Sequence, residues 1–135
     1  MDPPGNDSAA TYEIAQRDAH VHVTLRGRPR VETVVSMFRA LEELTAGDGE
    51  LLVLIDESEM TAGLLGPAEL SEMMDALKSS TGLRRRSRIA VCAPLPLVYG
   101  LNRMAQAFAG QVSEGRLEVF RTADDARAWL LGHAR

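Results

Sequence analysis

Three groups of residues in this chain have the types and spacing that chemistry requires. His20 and His22 stand two apart in an alternating stretch, so both project from one face of a strand. Such a pair can supply two metal ligands. A closed zinc site needs four, and no third ligand stands nearby in sequence. The pair therefore reads as the polar face opposite Val21, Val23 and Leu25, and no metal is assigned. Arg84, Arg85, Arg86 and Arg88 form the densest charge run. A run of this kind can grip phosphate or an anionic head group. In a chain of net charge −4 it reads as the solvated approach to a core strand. The third group is Asp56 to Gly66, a polar stretch interrupted by Met60, Leu64 and Leu65. It follows a wholly apolar run, at the carboxyl end of a central strand, where open α/β sheets place their sites.

No enzymatic constellation accompanies these groups. The sequence has no G-x-S-x-G elbow, no Walker loop and no G-x-G-x-x-G turn. Gly63-Leu-Leu-Gly66 lacks the Lys and Ser/Thr that make a phosphate cradle useful. Cys92 is the single cysteine and lies late in an apolar strand, with no His or Lys beside it to lower its pKa. The expectation is a non-enzymatic domain with no cofactor; the alternative is an enzyme whose unrecognised site is assembled from scattered residues.

The elements that must position these residues follow from periodicity. Residues 1 to 10 have nothing to bury and read as a disordered leader, with one domain over 11–135. Tyr12 and Ile14 open a first strand, and Val21, Val23 and Leu25 alternate in a second, joined to it by a turn at Asp18-Ala19 as an antiparallel hairpin. Val31, Val34, Val35, Phe38, Leu41 and Thr45 then lie along one helical stripe, ended by Gly47. Leu51 to Ile55 is an unbroken apolar run, the mark of a strand covered on both faces, which Asp56 ends. Residues 57–66 read as a loop. Pro67 opens a helix with Leu70, Met73, Met74 and Leu77 on one face, ended by Ser79 to Gly82. Ile89 to Ala93 is a second central strand, and a third helix carries Leu97, Leu101, Met104, Ala105 and Phe108. The chain closes with Leu117, Val119 and Phe120 in a strand and a helix N-capped by Thr122, with Ala126, Trp129, Leu130 and His133 at i, i+3, i+4 and i+7.

The expected order is ββαβαβαβα, an α/β domain with a mixed five-stranded sheet, an N-terminal hairpin and parallel central strands. Its 135 residues suit one domain, and only 4% of them are aromatic, so the core must be aliphatic. The acidic balance argues against a nucleic-acid partner. One cysteine fits a reducing compartment, no apolar run approaches the ~20 residues of a membrane span, and the N-terminus does not read as a signal peptide. Cytoplasmic is the expected location. The short first strand, at an open sheet edge, invites self-pairing as a homodimer.

With this order in place, the chain resembles the SpoIIAA-like proteins of the STAS and CRAL-TRIO-type fold group. The carrying segments are Arg88 to Ala93 with the Tyr99–Phe108 helix, and Glu118 to Leu130, where a strand ending in Phe runs into an Ala-Trp-Leu helix. The resemblance implies two functions. STAS anti-anti-sigma proteins carry a phosphorylatable Ser at the start of the helix after a central strand, in an Asp-Ser-Ser-Gly type motif. Here that place reads Asp56-Glu-Ser58-Glu, only Ser58 matches in type, and the helix begins later, at Pro67. A phosphate on Ser58 would meet like charge and miss the helix dipole. CRAL-TRIO relatives instead hold a lipid between sheet and helices. The resulting expectation is a binding or regulatory domain engaging a partner protein or a small apolar ligand. Asp56, Ser58, Met60, Leu64, Leu65 and Tyr99 form its binding end, and Ser58 is the candidate phosphosite. For the three apolar loop residues two readings stand, folding back onto the core or lining the site.

Overall fold

A computed structural model describes residues 11–28, 30–47, 49–61, 67–96, 98–100, 102–103 and 117–132. The expected leader, Leu64, Leu65, most of the third helix and His133 lie outside them.

The alternating residues at the start form the expected hairpin. β1 (Thr11–Gln16) and β2 (Val21–Gly27) pair antiparallel, with Gln16 opposite Val21, and the Arg17 N–H donates to the His20 carbonyl across the turn at 2.8 Å. α1 (Val31–Leu44) buries Val31, Met37, Phe38 and Leu41. β3 (Leu51–Met60) runs parallel to β2 and also parallel to β4 (Ser87–Cys92), with Val53 opposite Ile89 and Ile55 opposite Val91. β5 (Leu117–Phe120) joins β4 in parallel, and the sheet order is β1-β2-β3-β4-β5. β1 therefore lies at an edge of the sheet, as expected.

Strand alternation sorts the core into two faces. Val21, Val23, Leu25, Val53, Ile55, Ile89, Val91 and Val119 pack with Phe38, Leu41, Leu77 and Leu83 from the helices α1, α2 (Pro67–Ser79) and α3 (Thr81–Arg86). On the other face Leu52, Leu54, Ala90 and Cys92 pack against Ala126 and Leu130 of α4 (Ala123–Gly132). The Asp125 N–H donates to Thr122 Oγ1 at 3.1 Å, so Thr122 caps α4 as expected.

Two expectations are corrected. Asp56 does not end its strand, and residues 57–60 are not loop, because β3 continues to Met60. β4 stops at Cys92, opposite Asp56, so beyond that row β3 is bonded on one side only, to β2. A one-sided strand end tolerates the polar residues that read as loop. Its register slips once, since Thr24 faces Asp56 but Arg26 faces Glu59. Glu57 and Ser58 thus oppose Leu25 alone, a β-bulge that reverses the alternation and turns Met60 back to the α1 face of the core.

The second correction concerns Thr81 to Arg86, expected to end one helix and lead into a strand, which form α3 instead. The Glu42 carboxylate, forty residues earlier, accepts the N–H groups of Gly82 at 3.0 Å and Leu83 at 2.8 Å. It satisfies two first-turn donors that a helix otherwise leaves without partners. Gly82 suits this close approach, because a Cβ would crowd Thr45 Oγ1 and sit 2.9 Å from Glu42 Oε2.

Candidate functional site

The carboxyl ends of β3, β4 and β5 lie together, with Asp56, Cys92 and Phe120 in register across them. Asp56 shares the α4 face with Leu54. Its Oδ1 accepts the Ser58 N–H at 2.9 Å, which braces the bulge, and its Oδ2 lies 3.6 Å from His22 Nε2. Glu57 points the opposite way, among the residues that alternate with Val53 and Ile55, and is only 8% exposed. Asn102 reaches it from the helical segment after β4. Its Nδ2 donates to Glu57 Oε1 at 2.6 Å and also lies 2.8 Å from the Val98 carbonyl.

Burial raises the Glu57 carboxyl from 4.5 to about 7, against the opposing pull of the Asn102 hydrogen bond, and the Asp56 carboxylate adds to the rise. Glu57 therefore holds a proton at a pH where an exposed glutamate has lost it. Burial also pushes the Cys92 thiol up to about 11, reinforced by Asp56 and Glu57. Cys92 has the character of a core residue rather than a nucleophile.

Beyond the last row of the sheet the rim is mixed. Ser58 and Glu59 are exposed, and Arg26 bridges Glu59 at 2.8 Å and Glu13 at 3.2 Å. Leu95, just past β4, is 39% exposed and is the large hydrophobic most open to solvent among the described residues. The Tyr99 N–H donates to the Leu95 carbonyl at 2.7 Å, and the Arg121 guanidinium lies over the Tyr99 ring, 5.5 Å from its centre.

Of the six residues expected at the binding end, the fold brings Asp56, Ser58 and Tyr99 to this end of the sheet. The Met60 side chain folds back into the core, 6% exposed. Leu64 and Leu65 lie outside the described residues. Glu57, Leu95, Asn102 and Arg121 were not singled out in the sequence. For Glu57 a signal existed: alternation from Val53 and Ile55 carries it to the same buried face.

The other candidates have structural partners. Arg86 donates to the Gly47 carbonyl at 2.5 Å, and Arg88 Nε lies 3.3 Å from Glu50 Oε2, so part of the basic run ties β4 and α3 to the α1–β3 connection. The His20 and His22 rings stand 5.9 Å apart, and no cluster able to hold a metal occurs among the described residues.

These features, a five-stranded mixed sheet with α1, α2 and α3 on one face and α4 on the other among the described residues, define a SpoIIAA-like fold. No family model matches the chain, and no curated protein matches it by sequence. Among solved structures it is similar to an anti-sigma factor antagonist from Mycobacterium paratuberculosis, at 19% identity over 97% of this chain and 99% of that one, with a TM-score of 0.59. It is also similar to an uncharacterized protein of the DUF3478 family with a SpoIIAA-like fold from Shewanella loihica, at 22% identity over 90% and 93% of the two chains, with a TM-score of 0.56. Both support the SpoIIAA-like, STAS half of the resemblance, and neither supports its CRAL-TRIO half. No helix among the described residues is long and apolar enough to cross a membrane.

Proposed function

We propose that this chain is a non-enzymatic regulatory domain that binds a partner protein at the carboxyl end of its sheet, in the manner of an anti-sigma factor antagonist. The observation that carries this is the exposed Leu95 beside the stacked Tyr99–Arg121 pair. An aliphatic anchor with Tyr and Arg is the composition of a protein-binding hot spot. Asp56, Ser58 and Glu59 supply a polar rim around it, which suits a protein surface better than a small apolar ligand. The likeness to an anti-sigma factor antagonist supports an anti-sigma factor as the partner class.

The test is calorimetric titration of the full chain with each anti-sigma factor encoded in the genome it comes from. At least one should bind saturably, and Leu95→Asp and Arg121→Glu should each weaken binding about tenfold or more. Binding by none of them, or binding indifferent to both substitutions, would overturn the reading.

A second reading, a switch by phosphorylation of Ser58, is favoured by the exposure of that residue. Asp56 and Glu59 flank it with carboxylates, and α2 starts only at Pro67, nine residues further on, rather than at Ser58 itself. Incubation with a cognate kinase, with Ser58→Ala as control, decides it: no phosphate on Ser58 ends that reading.

A further inference from the structure

At the other end of β2, on the α4 face, a groove of about 630 Å³ lies between the hairpin turn and α4. Its size falls within the range of small-molecule sites. Arg17, Asp18 and His20 line it from the turn, His22 from the start of β2, and Arg127 and Leu131 from α4. Basic side chains outnumber acidic ones in its lining. Asp18 is the only carboxylate among the lining residues, against two arginines and two imidazoles. Among the described residues Arg17 makes no ion pair. Arg127 has only the exposed Asp124, at 3.4 Å, and His22 has Asp56, at 3.6 Å. His20 has none: its Nε2 is buried without a hydrogen-bond partner.

We infer that this groove binds the phosphate dianion of a small molecule, held between Arg17 and Arg127 with the His20–His22 pair at its floor. Arginine forks suit a tetrahedral dianion, and two of them on separate elements can hold it from both sides. The electrostatics agree. Burial first, then His22, Arg127 and Arg17, depress the His20 pKa, and a dianion held between the two arginines would oppose that depression. The groups facing His20 are Arg17 and Asp18 from the turn, His22 from β2, Asp56 behind it on β3 and Arg127 from α4. The groove meets the rim proposed to bind a partner only through the His22–Asp56 contact, and the variants that test each leave both of those residues in place, so either assignment can fail alone.

The test follows the histidine ring signals of the full chain by NMR through a pH titration, with inorganic phosphate, with AMP, and with chloride at matched ionic strength. Both phosphate probes should move the His20 signals and raise its titration midpoint by about half a pH unit or more relative to chloride. The double variant Arg17→Gln, Arg127→Gln, both at exposed positions, should keep its melting temperature and bind either probe about tenfold more weakly or worse. AMP binding tighter than inorganic phosphate assigns the site to an organic phosphate, and equal binding assigns it to the free ion. No His20 response to either probe at on the order of 10 mM, or a double variant that binds like the native chain, overturns the inference.

Discussion

Substituting Glu57 by Gln should abolish a specific pH dependence of stability. The carboxyl titrates near 4.5 when exposed and at about 7 in the folded protein. Its folded pKa is raised, so between these values the folded state binds the proton and the unfolded state does not. Stability is then greatest below about pH 4.5 and falls as pH rises toward 7, where the buried side chain must ionise. Each tenfold change in proton affinity is worth about 1.4 kcal/mol, so the rise corresponds to roughly 3 kcal/mol lost across that window. The side chain is 8% exposed, so solvent screening removes little of this. Gln at this position is neutral throughout and keeps an oxygen to accept from Asn102. For a domain of this size roughly 3 kcal/mol is about 10 °C in melting temperature.

Scanning calorimetry and urea unfolding of both proteins at pH 5, 6, 7 and 8 provide the check. Near pH 5 the variant should be ahead by less than about 1 kcal/mol, and by pH 8 by roughly 3 kcal/mol. The comparison isolates Glu57 because other titrations are common to both proteins. His20, whose folded pKa is depressed, loses stability in the opposite direction, as pH falls, and cancels in the difference. Parallel profiles for the two proteins, or a native chain that gains stability over the variant as pH rises, would refute the reasoning.

Three further outcomes follow from the same packing. Glu42→Ala removes the acceptor of two α3 amide groups and should cost about 2 kcal/mol in urea unfolding; a loss below about 0.5 kcal/mol would mean water replaces the carboxylate freely. Leu54→Ala empties a fully buried site between the sheet and α4 and should cost about 3–4 kcal/mol by the same measurement. Cys92, with its thiol raised to about 11, should resist a thiol-specific disulfide reagent at pH 8 until urea unfolds the chain; rapid labelling of the native protein would contradict its burial.

Much of this fold was legible because its signals are local. Apolar runs at residues 51–55 and 89–93 have no use except in the middle of a sheet, and they pair in parallel with Val53 opposite Ile89. Thr122 three residues before Asp125 states its own cap. What stayed hidden depends on distant partners. α3 rests on a carboxylate from α1, and the continuation of β3 to Met60 rests on β2, whose Arg26 bridges Glu59 and whose Gly27 carbonyl accepts the Thr61 N–H at 2.9 Å. Neither partner is visible in the six or ten residues that a propensity reading weighs.

The candidate site shows the same division more sharply. Asp56, Glu57 and Ser58 read in sequence as one polar cluster, yet a strand sends neighbours to opposite faces. Asp56 stands with His22 on the α4 side, and Glu57 is sealed against Asn102 on the other. The bulge that separates them leaves Ser58 exposed at the rim and returns Met60 to the core. One extra residue in one strand thus divides a contiguous motif into a surface group, a buried carboxyl and a packing residue. Ser58 is open to solvent at this end of the sheet. Asn102 fastens Glu57 to the helical segment that also carries Tyr99, so the two sides of the motif touch different elements.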